Sequence, residues 1–163
     1  MIFITVGTHE QGMERVLIEI DKLIEEGTIN EEVFAQIGYS NYNPKNYKYK
    51  KMIGYDDMDL YVRSARIVIT HGGPGSIFHP LRYKKIPIVI PRDPKFNEHV
   101  DNHQILFARR LEISKKVIAV YDICNLKNVI INYLNLSEKC FINTKGNSDF
   151  IKKFSLIIDS IID

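Results

Sequence analysis

Short runs of apolar, mostly β-branched residues are separated by longer amphipathic stretches along this chain of 163 residues. The runs are continuous rather than alternating with polar residues, which is typical of strands buried on both faces of a parallel sheet. They predict strands over residues 1–6, 33–37, 52–53, 66–70, 86–90 and 116–120.

Helical spacing of apolar residues fills most of the intervals between these strands. It predicts a first helix over residues 13–24 that ends at Gly27, and a second over 56–64 that Asp56 caps. Further helices are predicted over residues 75–83, 98–111, 126–136 and 149–163. Strands that alternate with helices indicate an α/β class, here a Rossmann-like parallel sheet with helices on both faces. The length fits one domain over residues 1–163.

Composition and charge exclude several classes of function. The chain is 45% apolar and carries a net charge of +2 without a basic stripe, so a nucleic-acid partner is not expected. No apolar run approaches a membrane helix, and the N-terminus lacks the features of a signal peptide. We therefore expect a cytoplasmic protein, in which Cys124 and Cys140 are ordinary thiols.

The segment from Thr70 to Ser76 (THGGPGS) follows a predicted strand and begins a predicted helix. Its glycines allow a ligand to approach the backbone, and Pro74 suits a first helical turn. The N–H groups of residues 75–77 would then form an anion site, for which a diphosphate is the obvious ligand. The segment matches neither the dinucleotide fingerprint nor the P-loop, and a tight turn alone also explains such glycines.

Two further segments follow predicted strands at the same edge of the sheet. The first runs from Gly7 to Glu10 (GTHE), and the second holds polar side chains from Asn97 to Gln104. Carboxylates, amides and imidazoles in this second segment are groups that bind sugar hydroxyls. A solvated helix start is the plain alternative. A metal site at His99 and His103, four residues apart, lacks a clear third ligand.

Together, the segments THGGPGS, GTHE and EHVDNHQ resemble the C-terminal domain of family 28 glycosyltransferases, over about residues 1–120. The similarity is to free-standing versions from bacterial capsule and exopolysaccharide clusters, such as the enhancer subunits of β-1,4-galactosyltransferases. It extends to the cytosolic subunit of the eukaryotic UDP-GlcNAc transferase that acts on a dolichol-linked acceptor. The resemblance implies one half of a GT-B fold and binding of a UDP-sugar donor.

The resemblance also implies a role for individual residues. The donor diphosphate would lie against the two glycine-containing segments, at Gly7, Thr8, His71, Gly72, Gly73, Gly75 and Ser76. The transferred sugar would contact Glu98, His99, Asn102 and Gln104. Relatives with a ribose-binding acid have it eight residues after the motif histidine, where this chain has His79.

The resulting hypothesis is a two-component hexosyltransferase. This chain would bind the donor, and a membrane-anchored partner would bind the lipid-linked saccharide acceptor and recruit this chain to the inner face of the membrane. Transfer of galactose, N-acetylglucosamine or glucuronic acid would invert the anomeric centre and need neither a metal nor a cofactor. The partner should supply the general base. Within this chain, His9 is the only candidate for that role.

Three questions stay open at this level. The chain would be a non-catalytic module that stabilises its partner if it does not touch the donor. A stand-alone Rossmann oxidoreductase is a second alternative, disfavoured because the dinucleotide fingerprint is missing. The predicted helix over residues 149–163 either docks the partner or packs on the domain's own sheet.

Overall fold

The computed structural model describes residues 1–140, which contain a six-stranded sheet with the strand order β3-β2-β1-β4-β5-β6. Every adjacent pair of strands is parallel. The strands are β1 (Ile2–Thr5), β2 (Val33–Gln36), β3 (Lys48–Lys50), β4 (Ile67–Thr70), β5 (Ile88–Val89) and β6 (Ile118–Ala119). This arrangement confirms the predicted Rossmann-like α/β class.

Helices cover both faces of the sheet. They are α1 (Glu14–Glu25), α2 (Tyr55–Ser64), α3 (Pro74–Arg82), α4 (His103–Ile113), α5 (Leu126–Ile131) and α6 (Tyr133–Glu138). One core packs α1 and α5 against Ile2 and Ile4 of β1, while Phe3 points to the opposite face and packs with α2. A third cluster joins α3 and α4 to β5. The fully buried central strands explain their unbroken apolar sequences.

Most predicted elements lie within a few residues of their observed bounds. Gly27 adopts a positive φ of 72° just after α1, and Pro74 occupies the first turn of α3, as the sequence indicates. The predicted C-terminal helix over residues 149–163 lies outside the described residues.

Four details of the prediction are wrong. The third strand lies at Lys48–Lys50 rather than at residues 52–53, because it is an exposed edge strand whose lysines hide the apolar pattern. Gly54, not Asp56, is the N-cap of α2. The helix predicted from residue 98 begins at His103, and the one predicted over 126–136 is divided at Asn132 into α5 and α6.

The long segment between β2 and β3 is held by a buried carboxylate on α1. Asp21 is 4% exposed, and one of its oxygens accepts hydrogen bonds from the Tyr42 hydroxyl at 2.7 Å and the Lys45 N–H at 2.8 Å. Its other oxygen accepts from the Asn46 N–H at 2.8 Å. These hydrogen bonds to Asp21 fix the position of a segment that has no regular secondary structure of its own.

We expect Asp21→Ala to lower the free energy of unfolding by about 3 kcal/mol, because buried hydrogen bonds to a charged group are lost and their donors stay unpaired. Urea denaturation measures this loss. The matched control is Asp57→Ala, which removes a half-exposed carboxylate from the first turn of α2. Equal stability of the two variants would contradict the structural role of Asp21.

Candidate functional site

The strand order creates a crevice at the carboxyl edge of the sheet. The chain leaves β1 toward α1 on one face, and it leaves the neighbouring β4 toward α3 on the other face. Two adjacent parallel strands whose connections diverge leave an opening between them, and ligands of open α/β sheets bind there. The segments that begin at Gly7 and at His71 border this opening.

The ring of His71 is enclosed by two glycines from different loops. A Cβ atom on Gly7 would lie 2.6 Å from the His71 ring, and one on Gly73 would lie 2.5 Å from it. Gly7 also has a φ of 79°, which a residue with a side chain rarely adopts. These two glycines are therefore explained by packing against His71, whereas Gly75 has open space above it, with no heavy atom within 4 Å of a Cβ.

The first turn of α3 presents unpaired backbone donors. The Ile77 N–H already donates to the Gly73 carbonyl at 3.1 Å, so it is not available as predicted. Within residues 1–140, the N–H groups of Gly75 and Ser76 have no backbone acceptor. A helix start with free N–H groups and an exposed glycine can receive an anion.

A cavity of about 290 Å³ lies beside this helix start. It is lined by Gly75 and Ser76 of α3 and by Thr5. Its other lining residues are His79 of α3, at the position considered for ribose binding, and three residues of α2 that were not predicted to belong to a site: Tyr55, Met58 and Val62. The Tyr55 and His79 rings stack with their centroids 6.0 Å apart and an interplanar angle of 7°. The cavity is therefore aromatic and apolar on one side and polar at the helix start.

His79 belongs to a small polar network at this cavity. Its Nε2 lies 2.8 Å from Oδ1 of Asp59, and the Tyr83 hydroxyl donates to the same oxygen at 2.6 Å. The hydrogen bond from Tyr83, followed by the one from His79, lowers the pKa of Asp59. The carboxylate that this chain offers near position 79 thus comes from α2.

His9 and His99 meet across the crevice, with ring centroids 4.8 Å apart. Nδ1 of His9 accepts a hydrogen bond from the Gln11 N–H at 3.2 Å, which assigns the proton of the neutral ring to Nε2. Burial, then the charges of Arg92 and His99, lower the pKa of His9, while Glu10 opposes them. In this arrangement a neutral His9 donates a hydrogen bond rather than accepting a proton at Nε2.

The structure uses two of the predicted sugar-binding residues for contacts within the protein. Glu98 is 3% exposed, and its carboxylate accepts two hydrogen bonds from Arg15, at 2.8 and 3.0 Å, and one from the Asp93 N–H at 3.1 Å. The amide oxygen of Gln104 accepts from the N–H groups of Gly72 and Arg92. Asn102 is exposed, and His99 lies against His9.

The structure thus brings Gly7, His71, Gly72, Gly73 and Gln104 together and places Gly75 and Ser76 at the adjacent cavity. Thr8 is exposed in the loop that follows β1. Sequence reasoning missed Arg15, Tyr55, Asp59 and Arg92. Arg92 lies three residues after β5, and this position at the carboxyl edge of the sheet was a usable signal, whereas nothing in the sequence connects Arg15 with Glu98.

Between Met1 and Cys140, the structure contains neither a metal-binding cluster nor a membrane-spanning helix. Within this range, no three His, Cys, Asp or Glu side chains are grouped closely enough to hold a metal ion. His99 and His103 are separated by the start of α4, and Asp101 lies between them, near Nδ1 of each ring, at 3.2 Å and 2.8 Å. No helix in this part of the chain has the length and apolar character needed to cross a membrane.

Comparisons with solved structures support the fold. The glycotransferase of kitacinnamycin superimposes with a TM-score of 0.56 at 17% identity, covering 83% of this chain and 34% of that one. The glycosyltransferase SnogD from Streptomyces nogalater superimposes with a TM-score of 0.53 at 17% identity, covering 84% of this chain and 36% of that one. The chain spans about a third of the length of these GT-B structures.

The sequence comparison is more specific than the structural one. No curated protein matched the sequence. The glycosyltransferase family 28 C-terminal domain matches residues 1–161, which is nearly the whole chain. This match agrees with the crevice between β1 and β4, and it leaves no support for the oxidoreductase alternative. The chain belongs to the glycosyltransferase family 28 C-terminal domain family.

Proposed function

We propose that this chain is the UDP-sugar-binding subunit of a two-component hexosyltransferase in capsule or exopolysaccharide synthesis. The observation that carries the proposal is the open start of α3, where Gly75 and Ser76 present N–H groups beside a cavity at the crevice between β1 and β4. Membership of the glycosyltransferase family gives this geometry a ligand class, a nucleoside diphosphate sugar.

The diphosphate would lie over the first turn of α3. The Gly75 and Ser76 N–H groups and the Ser76 hydroxyl would donate to its oxygens, and the helix dipole would favour its negative charge. As the bond to the sugar breaks, charge grows on the leaving UDP, so the same donors would stabilise the transition state more than the bound donor. No metal is needed for this role, because the helix start supplies the electrostatic stabilisation.

The uridine would occupy the cavity between α2 and α3. Tyr55 is 67% exposed and offers an aromatic face at its rim, and the apolar side chains of Met58 and Val62 line it. The resemblance places His79 at the position of a ribose-binding acid, and Asp59 of α2 lies within hydrogen-bond distance of it. We propose that this hydrogen-bonded pair replaces that acid and binds the ribose hydroxyls.

The sugar would extend toward His99 and Asn102, on the opposite side of the diphosphate. Glu98 and Gln104 stay candidates for sugar contact, although each already has partners in the protein. His9 would donate its Nε2–H to the diphosphate or the sugar, in keeping with its tautomer. The general base that activates the acceptor would then come from the partner.

The partner is inferred from what one Rossmann-like lobe can do. A GT-B enzyme closes two such lobes around donor and acceptor, and the described residues form one. A second lobe is needed to exclude water and to place the acceptor for attack. We propose that a membrane-anchored subunit supplies that lobe, binds a lipid-linked saccharide and recruits this chain to the membrane. The transferred hexose would be galactose, N-acetylglucosamine or glucuronic acid.

Gly75→Ala should weaken UDP binding roughly tenfold without destabilising the domain, because the added methyl meets no protein atom but projects over the helix start. Alanine also favours helix over glycine, so the thermal midpoint should stay the same or rise. Isothermal titration calorimetry and thermal denaturation give the two readouts. Ser114→Ala, at the C-terminus of α4, is the control. Unchanged UDP affinity in Gly75→Ala would contradict the diphosphate assignment.

Tyr55→Ala should weaken binding of UDP but leave binding of inorganic pyrophosphate unchanged, because Tyr55 offers the cavity an aromatic face for a base, whereas Gly75 and Ser76 offer the N–H groups for phosphate. The expected loss is roughly tenfold, corresponding to one aromatic stacking contact. Competition calorimetry with both ligands checks it. Tyr39→Ala removes an exposed tyrosine that is not among the cavity-lining residues and serves as the control. Equal losses for UDP and pyrophosphate would place the nucleoside elsewhere.

Reconstitution with the proposed partner separates a donor-binding subunit from a non-catalytic module. Transfer from a radiolabelled UDP-sugar to the lipid-linked acceptor should require both chains, and Ser76→Ala should lower kcat by roughly tenfold or more while the two chains still copurify. Full activity of the complex containing both Gly75→Ala and Ser76→Ala would show that this chain only stabilises its partner.

A further inference from the structure

Arg92 is the largest of the fully buried side chains between residues 1 and 140, with 1% of its surface exposed. Its guanidinium donates to backbone carbonyls rather than to a carboxylate: Nη2 to Val6 at 2.7 Å, and Nη1 to Glu98 at 2.8 Å and to Gln11. Nε is buried without a hydrogen-bond partner in this part of the chain. A buried charge with this partner set needs a reason beyond stability, because burying it costs free energy.

The carbonyls that Arg92 binds belong to two different loops. Val6 and Gln11 lie between β1 and α1, and Glu98 lies between β5 and α4. The backbone N–H of Arg92 donates to the Gln104 amide oxygen at 3.2 Å, and that oxygen also accepts from the Gly72 N–H at 3.0 Å. One residue and its glutamine neighbour therefore connect the three loops that border the crevice.

We infer that Arg92 is a positioning residue of the donor site: it joins the loops that carry Gly7, His9 and His99, and it holds a positive charge near His9 and His71. This inference rests on the proposed function for the identity of the ligand. The Arg92 side chain is itself buried, so it would act through the residues it holds rather than by touching the donor.

The charge of Arg92 acts on the imidazoles of the crevice. Burial, followed by the charge of Arg92 and with smaller effects of His9 and His99, lowers the pKa of His71 to about 4, while the backbone of Thr5 opposes them. His9 faces the same arginine, with His99 and Glu10 close by, and its pKa is lowered as well. Glu98 and Glu14 are the acidic groups that face Arg92, and the Glu98 carboxylate is itself paired with Arg15. The charge of Arg92 thus favours the neutral form of both imidazoles.

Two substitutions separate the charge of Arg92 from its geometry. Arg92→Met removes both, whereas Arg92→Lys keeps a charge but lacks the planar, multi-donor group that reaches carbonyls of both loops. The control is Arg66→Met, which breaks an ion pair with Glu31. Arg66 precedes β4 at the amino ends of the strands, whereas the crevice lies at their carboxyl ends.

In Arg92→Met, the pKa of His71 should rise above about 4, because a nearby positive charge is gone, but it should stay below 6.5, because burial is the larger cause of the low value and remains. In Arg92→Lys, it should stay low, while UDP affinity falls roughly tenfold to a hundredfold because the loops lose their alignment. NMR titration of the imidazole C–H signals, calorimetry with UDP and hydrogen exchange of amides 7–12 and 98–102 give the readouts. Exchange of these amides should be faster in Arg92→Lys than in Arg66→Met.

The results are decisive in either direction. An unchanged His71 pKa in Arg92→Met, or loop exchange and UDP affinity in Arg92→Lys equal to those of the wild type, would overturn the inference. If Arg92→Met does not fold, Arg92→Lys and its exchange rates decide. The imidazole titration and the exchange rates need no ligand, so a wild-type protein that binds no UDP would refute the proposed function without affecting the test of Arg92.

Discussion

The reversal of strand order between β1 and β4 is the constraint on which the rest of this structure depends. Because the two strands are neighbours but send their chains to opposite faces, the loops after them separate and leave a crevice. This geometry brings together, at one crevice, the loop after β1, the glycine-rich segment after β4 and the start of α3. In another strand order, the same segments would be unrelated turns.

Within the crevice, packing and ligand binding make different demands on glycine. Gly7 and Gly73 are small because the His71 ring lies against them, and Gly72 because Gln104 does. A Cβ on Gly75 would meet no heavy atom within 4 Å, so the packing of the domain does not explain why this position has no side chain. Of the four glycines, three therefore pack against protein side chains, and one is open for a ligand. This division is what makes the diphosphate proposal specific to a single turn of helix.

The sequence predicted the class of the fold and the buried strands, because apolar runs are local signals, and its glycines marked loops that the structure places beside the crevice. It did not predict the strand order, which depends on contacts between distant residues, nor the edge strand β3, whose three exposed residues have no apolar period. The predicted helix start at residue 98 failed for a tertiary reason: Glu98 turns inward to Arg15, and Asn97 has a φ of 57°. Polar residues that seemed arranged for a sugar are partly engaged in holding loops, and one sequence cannot show which carboxylate already has a partner.

The lysine-bearing edge at β3 has a consequence for assembly. Lys48 and Lys50 are the first and last residues of β3, and all three residues of this strand are exposed. An incoming strand would have to pair beside these charged side chains. Charged residues on a short edge discourage this kind of backbone pairing, so enlargement of the sheet at this end is disfavoured. A second polypeptide at this end of the domain would therefore be held by side-chain contacts rather than by a continuous hydrogen-bonded ladder.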